Sequence, residues 1–275
     1  MKKVGLIVIG NEVLNGSTLD TNSHFMCQYV EAHGSKVKKI STIPDETNTI
    51  INEINSMINY VDIIITFGGL GPTIDDLTID AVSKSIGKSM KKNELALKYI
   101  NDRYSSLAQK GIVEKHPSTK ALQSREKMAY LPENTIPLWN PIGAAPAAII
   151  PHNGKHIICF PGVPREITAI CAKYDKEIFE KILGKGSLVS YRIITSTNDE
   201  SEMATSVEAV SKQFKEIYIK TRPVFGSDKQ EIGITVTGTS ENEREILNTI
   251  NNAIYSLKEN LLLNGISIVS ETRII

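Results

Sequence analysis

The stretch Ile65-Thr66-Phe67-Gly68-Gly69-Leu70-Gly71-Pro72-Thr73-Ile74-Asp75-Asp76-Leu77-Thr78 runs from an apolar β-branched segment through three glycines into a polar helix start. Asp62 to Phe67 reads as a short buried strand, and the spacing predicts a helix following Pro72. A strand, a glycine turn and a helix N-terminus in succession turn backbone N–H groups and the positive end of the helix dipole toward one point, which suits an anion. This is not a Walker A loop, because no Gly-Lys-Ser/Thr follows, and the third glycine of a GxGxxG fingerprint is missing. Thr73 and Asp76 equally fit a capping box, with the glycines supplying only positive φ. Adjacent carboxylates repel a bare phosphate, so Asp75 and Asp76 beside an anion cradle become candidate ligands of a hard divalent cation.

Outward from this stretch, strand-sized runs alternate with helical periodicity. Lys3 to Ile9, Lys36 to Ile43 and Asp62 to Phe67 are strand candidates, while 22–33 and 47–60 repeat apolar residues at helical spacing. That alternation predicts a mostly parallel α/β sheet covered by helices on both faces, an α/β/α arrangement of three layers. The region 93–127 is more polar and reads as surface or lid material. Strands are expected again at 147–150 and 156–160, then a helix from Val163 to Leu183 that ends at Gly184. The Gly-Lys-Gly-Ser sequence at 184–187 sets an expected boundary between a domain at 1–186 and a smaller α+β domain at 187–275. In the latter, strands are expected at 190–196, 217–221 and 231–237, and helices at 200–214 and 241–260.

The 275 residues suit roughly two domains by length. Hydrophobic residues at 41% and charged residues at 23% exclude disorder and fibrous repeats. Lys plus Arg equals Asp plus Glu at 31 each, so no net charge draws the chain to nucleic acid or to a membrane, and neither is an expected partner. The apolar start Val4 to Ile9 is too short for a signal peptide, and no run approaches the ~18 residues of a membrane span. A cytoplasmic protein is expected. Cys27, Cys159 and Cys171 lack CxxC spacing and read as reduced core thiols. His152 and His156 lie four apart in a turn-like stretch and give no zinc motif.

Two further loops follow strands at the same sheet edge. Gly10-Asn11-Glu12 follows the first strand, with Asn22 at the next helix start, and Pro44-Asp45-Glu46 follows the second. Asn22 and Asp45 are also ordinary helix N-caps. Ligands bind an open α/β sheet at the carboxyl ends of its strands, however, and three loops meeting there point to a shared site. Pro161-Gly162-Val163-Pro164-Arg165-Glu166 opens another helix, with Pro164 suited to its first turn and Arg165 within reach of an anion at that helix start.

These residues, together with Gly68-Gly69-Leu70-Gly71-Pro72-Thr73, Asp75-Asp76-Leu77-Thr78 and Asn140-Pro141-Ile142-Gly143, resemble the CinA N-terminal family of the MoaB/Mog molybdopterin-binding fold. The resemblance spans residues 1 to about 185 and implies that the carboxylates matching Asp45 and Asp76 are functional. Catalytic roles are expected for Asp45, Asp76 and Glu12, and metal-ligand roles for Asp75, Asp76 and Asp45 toward Mg²⁺, Mn²⁺ or Co²⁺. Substrate contacts are expected from Gly10, Asn11, Asn22, Gly68, Gly69, Leu70, Gly71, Pro72, Thr73, Asn140, Gly143, Pro161, Gly162 and Arg165. The implied activity is hydrolysis of ADP-ribose to AMP and ribose 5-phosphate. The alternatives are adenylylation of molybdopterin and silent binding of a nucleotide or pterin.

A homo-oligomer, dimer or trimer, is also implied. The smaller domain is similar to the KH-type domain of CinA proteins but lacks a GxxG loop, and the nicotinamide mononucleotide deamidase domain of the long CinA proteins is expected to be absent. Gly143-Ala144-Ala145-Pro146-Ala147 departs from the Gly-Thr-Ala-Pro-Gly of similar members, losing a hydroxyl and a glycine near the ligand.

Overall fold

In the computed structural model, residues 1–225 and 230–274 are described. The first unit comprises residues 1–30 and 35–184, and the second comprises 31–34 and 185–275. Along the chain the first unit runs β1 (Lys3–Ile9), α1 (Asn11–Leu14), α2 (Thr21–Ala32), β2 (Lys36–Ile43), α3 (Thr47–Ile58), β3 (Ile63–Phe67) and α4 (Thr78–Ser85). It continues with β4 (Met90–Lys92), α5 (Glu94–Gln109), α6 (Thr119–Lys127), β5 (Tyr130–Pro132), β6 (Ile136–Leu138), β7 (Ala147–His152), β8 (Lys155–Phe160), α7 (Pro164–Tyr174) and α8 (Glu180–Leu183). A π-helical turn, Asp175–Phe179, joins α7 to α8, so the expected single helix from Val163 to Leu183 is interrupted.

The main sheet has the order β2-β1-β3-β8-β7-β6. Its first four strands are parallel, and β7 and β6 add antiparallel pairs. Alternation along β1 divides its side chains between two apolar layers. Val4, Leu6 and Val8 pack with Met26 and Val30 of α2 and Ile167 and Ile170 of α7. Ile7 and Ile9 pack with Ile50, Ile54 and Met57 of α3 and Ala81 and Val82 of α4. The three-layer α/β/α expectation holds because both sheet faces are apolar and neither can meet water.

The order in which successive strands are added reverses at β1, since β2 lies on one side of it and β3 on the other. The loops after β1 and β3 therefore diverge and leave a crevice at their carboxyl ends. The middle region is not merely surface, because Ala96 and Ile100 of α5 enter the core. Only α6 within it has no buried residue.

The second unit runs β9 (Ser187–Thr195), a 3₁₀ turn at Glu200–Met203, α9 (Ala204–Gln213), β10 (Tyr218–Phe225), β11 (Gln230–Ser240), α10 (Glu243–Leu263) and β12 (Ile268–Arg273). Its sheet is antiparallel throughout, in the order β10-β11-β9-β12. This β-α-β-β-α-β order is the split-βαβ arrangement. Val189, Ile193, Ile232, Ile234 and Val236 pack against Val210 of α9 and against Ile246, Ile250, Ile254 and Leu257 of α10, which closes one sheet face.

Candidate functional site

The glycine loop after β3 is held by contacts that leave no room for side chains at its start. Gly68 has φ +99°, and a Cβ there would lie 2.3 Å from the Ile9 carbonyl oxygen. Gly69 has φ +68°, and a Cβ there would lie 2.2 Å from Thr78 Oγ1. The Thr78 hydroxyl donates to the Gly68 carbonyl at 2.8 Å and the Thr78 N–H to the Gly69 carbonyl at 3.2 Å, so the loop closes on the first residue of α4.

Helix α4 starts at Thr78, not after Pro72, and Thr73 is not its cap. The physical reason lies in Asp76. Its carboxylate accepts the Gly71 N–H at 2.7 Å and the Thr73 N–H at 2.8 Å, and it also accepts the Thr73 hydroxyl. Loop donors that would otherwise favour a helical turn or an outside anion are thus occupied by the chain's own carboxylate. Of the capping-box expectation, only the return arm from Asp76 to the Thr73 N–H exists. Lys127, at the end of α6, donates to the carbonyls of Thr73 and Asp76 and fixes the loop from the other side. The Thr73 hydroxyl and the Lys127 charge hold the exposed Asp75 carboxyl below the usual range.

Asp45 does not cap α3, where Glu46 occupies the N-cap position. Instead its carboxylate accepts the Asn11 N–H at 2.9 Å and ties the β2 loop to the β1 loop. Burial raises the Asp45 carboxyl above its ordinary value, and the charges of Glu12 and Asp75 add to the rise against the Asn11 N–H. Asn22 is likewise no cap, since Asp20 accepts the Ser23 N–H in that role. The Asn22 amide donates to the Gly162 carbonyl at 2.8 Å, and its buried Oδ1 has no hydrogen-bond partner among the described residues.

The loop after β6 is organised by the buried Asn140. Its Oδ1 accepts the N–H groups of Ile142 and Gly143, and its Nδ2 donates to the Ala145 carbonyl and to Glu166 Oε2 at 2.7 Å. Burial raises the Glu166 carboxyl, while the Asn140 amide and the Arg103 charge oppose the rise.

These loops enclose a pocket of about 410 Å³, walled by Ile9, Gly68 to Pro72, Met128, Ala144, Ala145 and Pro161 to Val163. Its polar side chains are Glu12, Asp45, Asp75, Asp76 and Glu166, and no Lys, Arg or His lines it. Of the expected contact residues, Gly68, Gly69, Leu70, Gly71, Pro72, Pro161 and Gly162 form walls. Gly10, Asn11, Asn22, Thr73, Asn140 and Gly143 are not among its lining residues. Arg165 lies on the exposed side of α7 and is not among the lining residues, so it is not brought to the site.

Sequence reasoning missed Met128, the clamp by Lys127 and the place of Glu166 on the pocket wall. Among the described residues no group of three or more His, Cys, Asp or Glu is close enough to hold a metal ion. The expected trio of Asp45, Asp75 and Asp76 fails as a self-sufficient centre because Asp76 faces inward to the loop and Asp75 turns to the Thr73 hydroxyl.

An open, mostly parallel sheet with a carboxylate-lined pocket at its switch point defines a protein that binds a small polar ligand at the sheet edge. The chain belongs to the family described as a probable molybdopterin binding domain, whose model matches residues 5–180. A protein of Thermoplasma acidophilum is 31% identical over 255 residues, covering 92% of this chain and 94% of its own length. One from Pyrococcus horikoshii is 34% identical over 239 residues, covering 83% and 91%. The crystal structure of the protein CinA from Thermoplasma acidophilum is similar at 32% identity with a TM-score of 0.57, over 64% of this chain and 99% of that one. The molybdopterin biosynthesis enzyme MoaB from Thermus thermophilus is similar at 18% identity with a TM-score of 0.42, over 66% and 94%. No helix among the described residues is long and apolar enough to cross a membrane.

Proposed function

We propose that the first unit binds molybdopterin or a close phosphorylated relative in the 410 Å³ pocket, and that the ligand's phosphate enters together with a divalent cation. The observation that carries this reading is the pocket's charge pattern, with five carboxylates on its wall and no basic side chain. A phosphate without a cation would be repelled there, whereas the amino and lactam N–H groups of a pterin ring find acceptors. Glu12, and Asp45 through the oxygen that does not accept the Asn11 N–H, can face a ligand, because Asp76 is engaged by its own loop. One or two carboxylates plus phosphate oxygens are the usual setting for Mg²⁺. A cation bound in this way supplies charge neutralisation of the phosphate.

The test is anaerobic incubation with molybdopterin, with and without Mg²⁺, followed by measurement of protein-bound pterin as its fluorescent oxidation product. Retention that requires Mg²⁺ supports the reading, and failure to retain pterin in either condition refutes it.

A second reading, hydrolysis of ADP-ribose to AMP and ribose 5-phosphate, is favoured by one specific feature. Burial raises the Asp45 carboxyl, and the charges of Glu12 and Asp75 add to the rise, the direction that makes a carboxylate a stronger base. Release of AMP from ADP-ribose with Mg²⁺, Mn²⁺ or Co²⁺, lost in Asp45→Asn, would support it. Formation of an adenylylated pterin from ATP would instead support the transferase reading.

A further inference from the structure

The second unit has one sheet face covered by α9 and α10, and its register shows what lies on the other. Residues directly opposite in an antiparallel ladder share a face. Arg192 lies opposite Thr235, which lies opposite Lys220, and this row is one residue out of phase with the buried pair Ile193 and Ile234. The neighbouring rows on the same face are Ser190, Thr237 and Tyr218 on one side, and Ile194, Gly233 and Arg222 on the other. The open face thus gathers Arg192, Lys220 and Arg222 around Tyr218, which is 61% exposed, on a floor of Ser, Thr and Gly.

What distinguishes these cations is their shared face, since Lys185, Lys215 and Arg244 are also exposed without an ion pair but do not lie on these ladder rows. Over 185–275 the sequence has ten Lys and Arg against twelve Asp and Glu, so the unit has acids to spare. Lys212, Lys258 and Arg273 each take a carboxylate partner, Glu208, Glu271 and Glu243. Arg192, Lys220 and Arg222 are exposed and have no ion pair among the described residues. Glu231, opposite Val224, is the carboxylate that the described strands place on this face, and it lies at the end away from Tyr218. A net charge of zero for the chain averages this patch away, so composition carries no sign of it.

We propose that the open face of this four-stranded sheet binds single-stranded nucleic acid, with Arg192, Lys220 and Arg222 on the phosphates and a base stacked on Tyr218. Four-stranded sheets carrying an aromatic platform among cations recognise unstacked bases in this way. An isologous contact with a second copy would instead set like charges against each other. The Thr235 hydroxyl is available to base edges, as a Thr hydroxyl both donates and accepts, whereas the Thr237 hydroxyl is shared with the buried Ser190 at 2.7 Å.

The experiment is fluorescence anisotropy of the full chain with labelled U20 and dT20 at increasing salt. Binding should fall with a log–log salt slope of about −2, the release expected for three neutralised phosphates of a single strand. The triple variant Arg192→Gln, Lys220→Gln, Arg222→Gln should flatten that slope and abolish binding at moderate salt. Tyr218→Ala should weaken binding about 5- to 150-fold, the range for one lost base stack. Tighter binding of U20 than dT20 identifies RNA as the ligand, through its 2′-hydroxyls, and the reverse identifies DNA. No binding at low salt, or binding unchanged in the triple variant, overturns the proposal. So does equal affinity for heparin together with no effect of Tyr218→Ala, which would assign the face to acidic polymers or proteins. Unaltered far-UV circular dichroism of these surface variants separates lost binding from lost folding.

Discussion

Asp76→Asn isolates the carboxylate that organises the glycine loop. In the wild type its two oxygens accept the N–H groups of Gly71 and Thr73 at 2.7 and 2.8 Å. An asparagine keeps one acceptor and sets its NH₂ group against the other N–H, so one charge-assisted bond is lost and the second becomes neutral. Hydrogen bonds to charged groups contribute about 1.5–3 kcal/mol and neutral ones about 1 kcal/mol. With water able to reach this partly exposed loop, a net local cost of about 2–3 kcal/mol follows. At 1.36 kcal/mol per decade, amide exchange at Gly71 and Thr73 should accelerate about 30- to 150-fold. The core layers do not use Asp76, so far-UV circular dichroism and exchange in β1 and β3 should not change. Amide exchange followed by NMR reads each site separately. Unchanged protection at Gly71 and Thr73 in the variant would refute the assignment of Asp76 as the loop's organiser.

Lys127→Ala should loosen the same loop by about 1–2 kcal/mol through lost bonds to the Thr73 and Asp76 carbonyls, and a double-mutant cycle with Asp76→Asn should show coupling of at least about 0.5 kcal/mol because both act on one segment. Gly69→Ala should destabilise the protein by about 2–3 kcal/mol, combining the cost of a left-handed non-glycine residue with the lost Thr78 bond; urea titration measures it, and a loss below about 0.5 kcal/mol would contradict the geometry. Burial and the neighbouring charges of Glu12 and Asp75 raise Asp45, so the folded chain keeps a proton that the unfolded chain has already lost. Stability therefore declines as pH rises through the window above the unfolded aspartate value of about 3.9. Asp45→Asn should reduce that decline, and melting curves across pH that run parallel for both proteins would count against it. Ile54→Ala, in the fully buried layer beneath α3, should cost about 2–5 kcal/mol by calorimetry or urea titration.

Regular elements were legible wherever one periodicity dominated. β2 and α3 begin where the sequence pattern begins them, at Lys36 and Thr47, because alternation and helical spacing there are uninterrupted. The start of α4 was misread because capping patterns are written in residue types, whereas the outcome depends on where one carboxylate points. Asp76 turned back to Gly71 and Thr73 and held the chain out of the helix for another turn.

In the same way, Asp45 was visible as a polar residue at a strand end, but its bond to Asn11 spans 34 residues and no local spacing encodes it. Lys127 reaches the loop across 54 residues of sequence and had no local signal at all. The strands of the second unit were seen as short pieces, but the ladder that aligns Arg192, Thr235 and Lys220 exists only once register is known. The interruption after Tyr174 was hidden because a π turn preserves the apolar spacing of Ile170, Cys171 and Phe179 closely enough to imitate one helix.

Titration of wild type and Asp45→Asn with molybdopterin, each with Mg²⁺ and with chelator, tests the central claim that a cation-borne phosphorylated pterin occupies the carboxylate pocket. The account predicts binding by the wild type only when Mg²⁺ is present, and at least tenfold weaker binding by the variant, a difference of about 1.4 kcal/mol or more. Binding that is equally tight in chelator, or equally tight in both proteins, would contradict it.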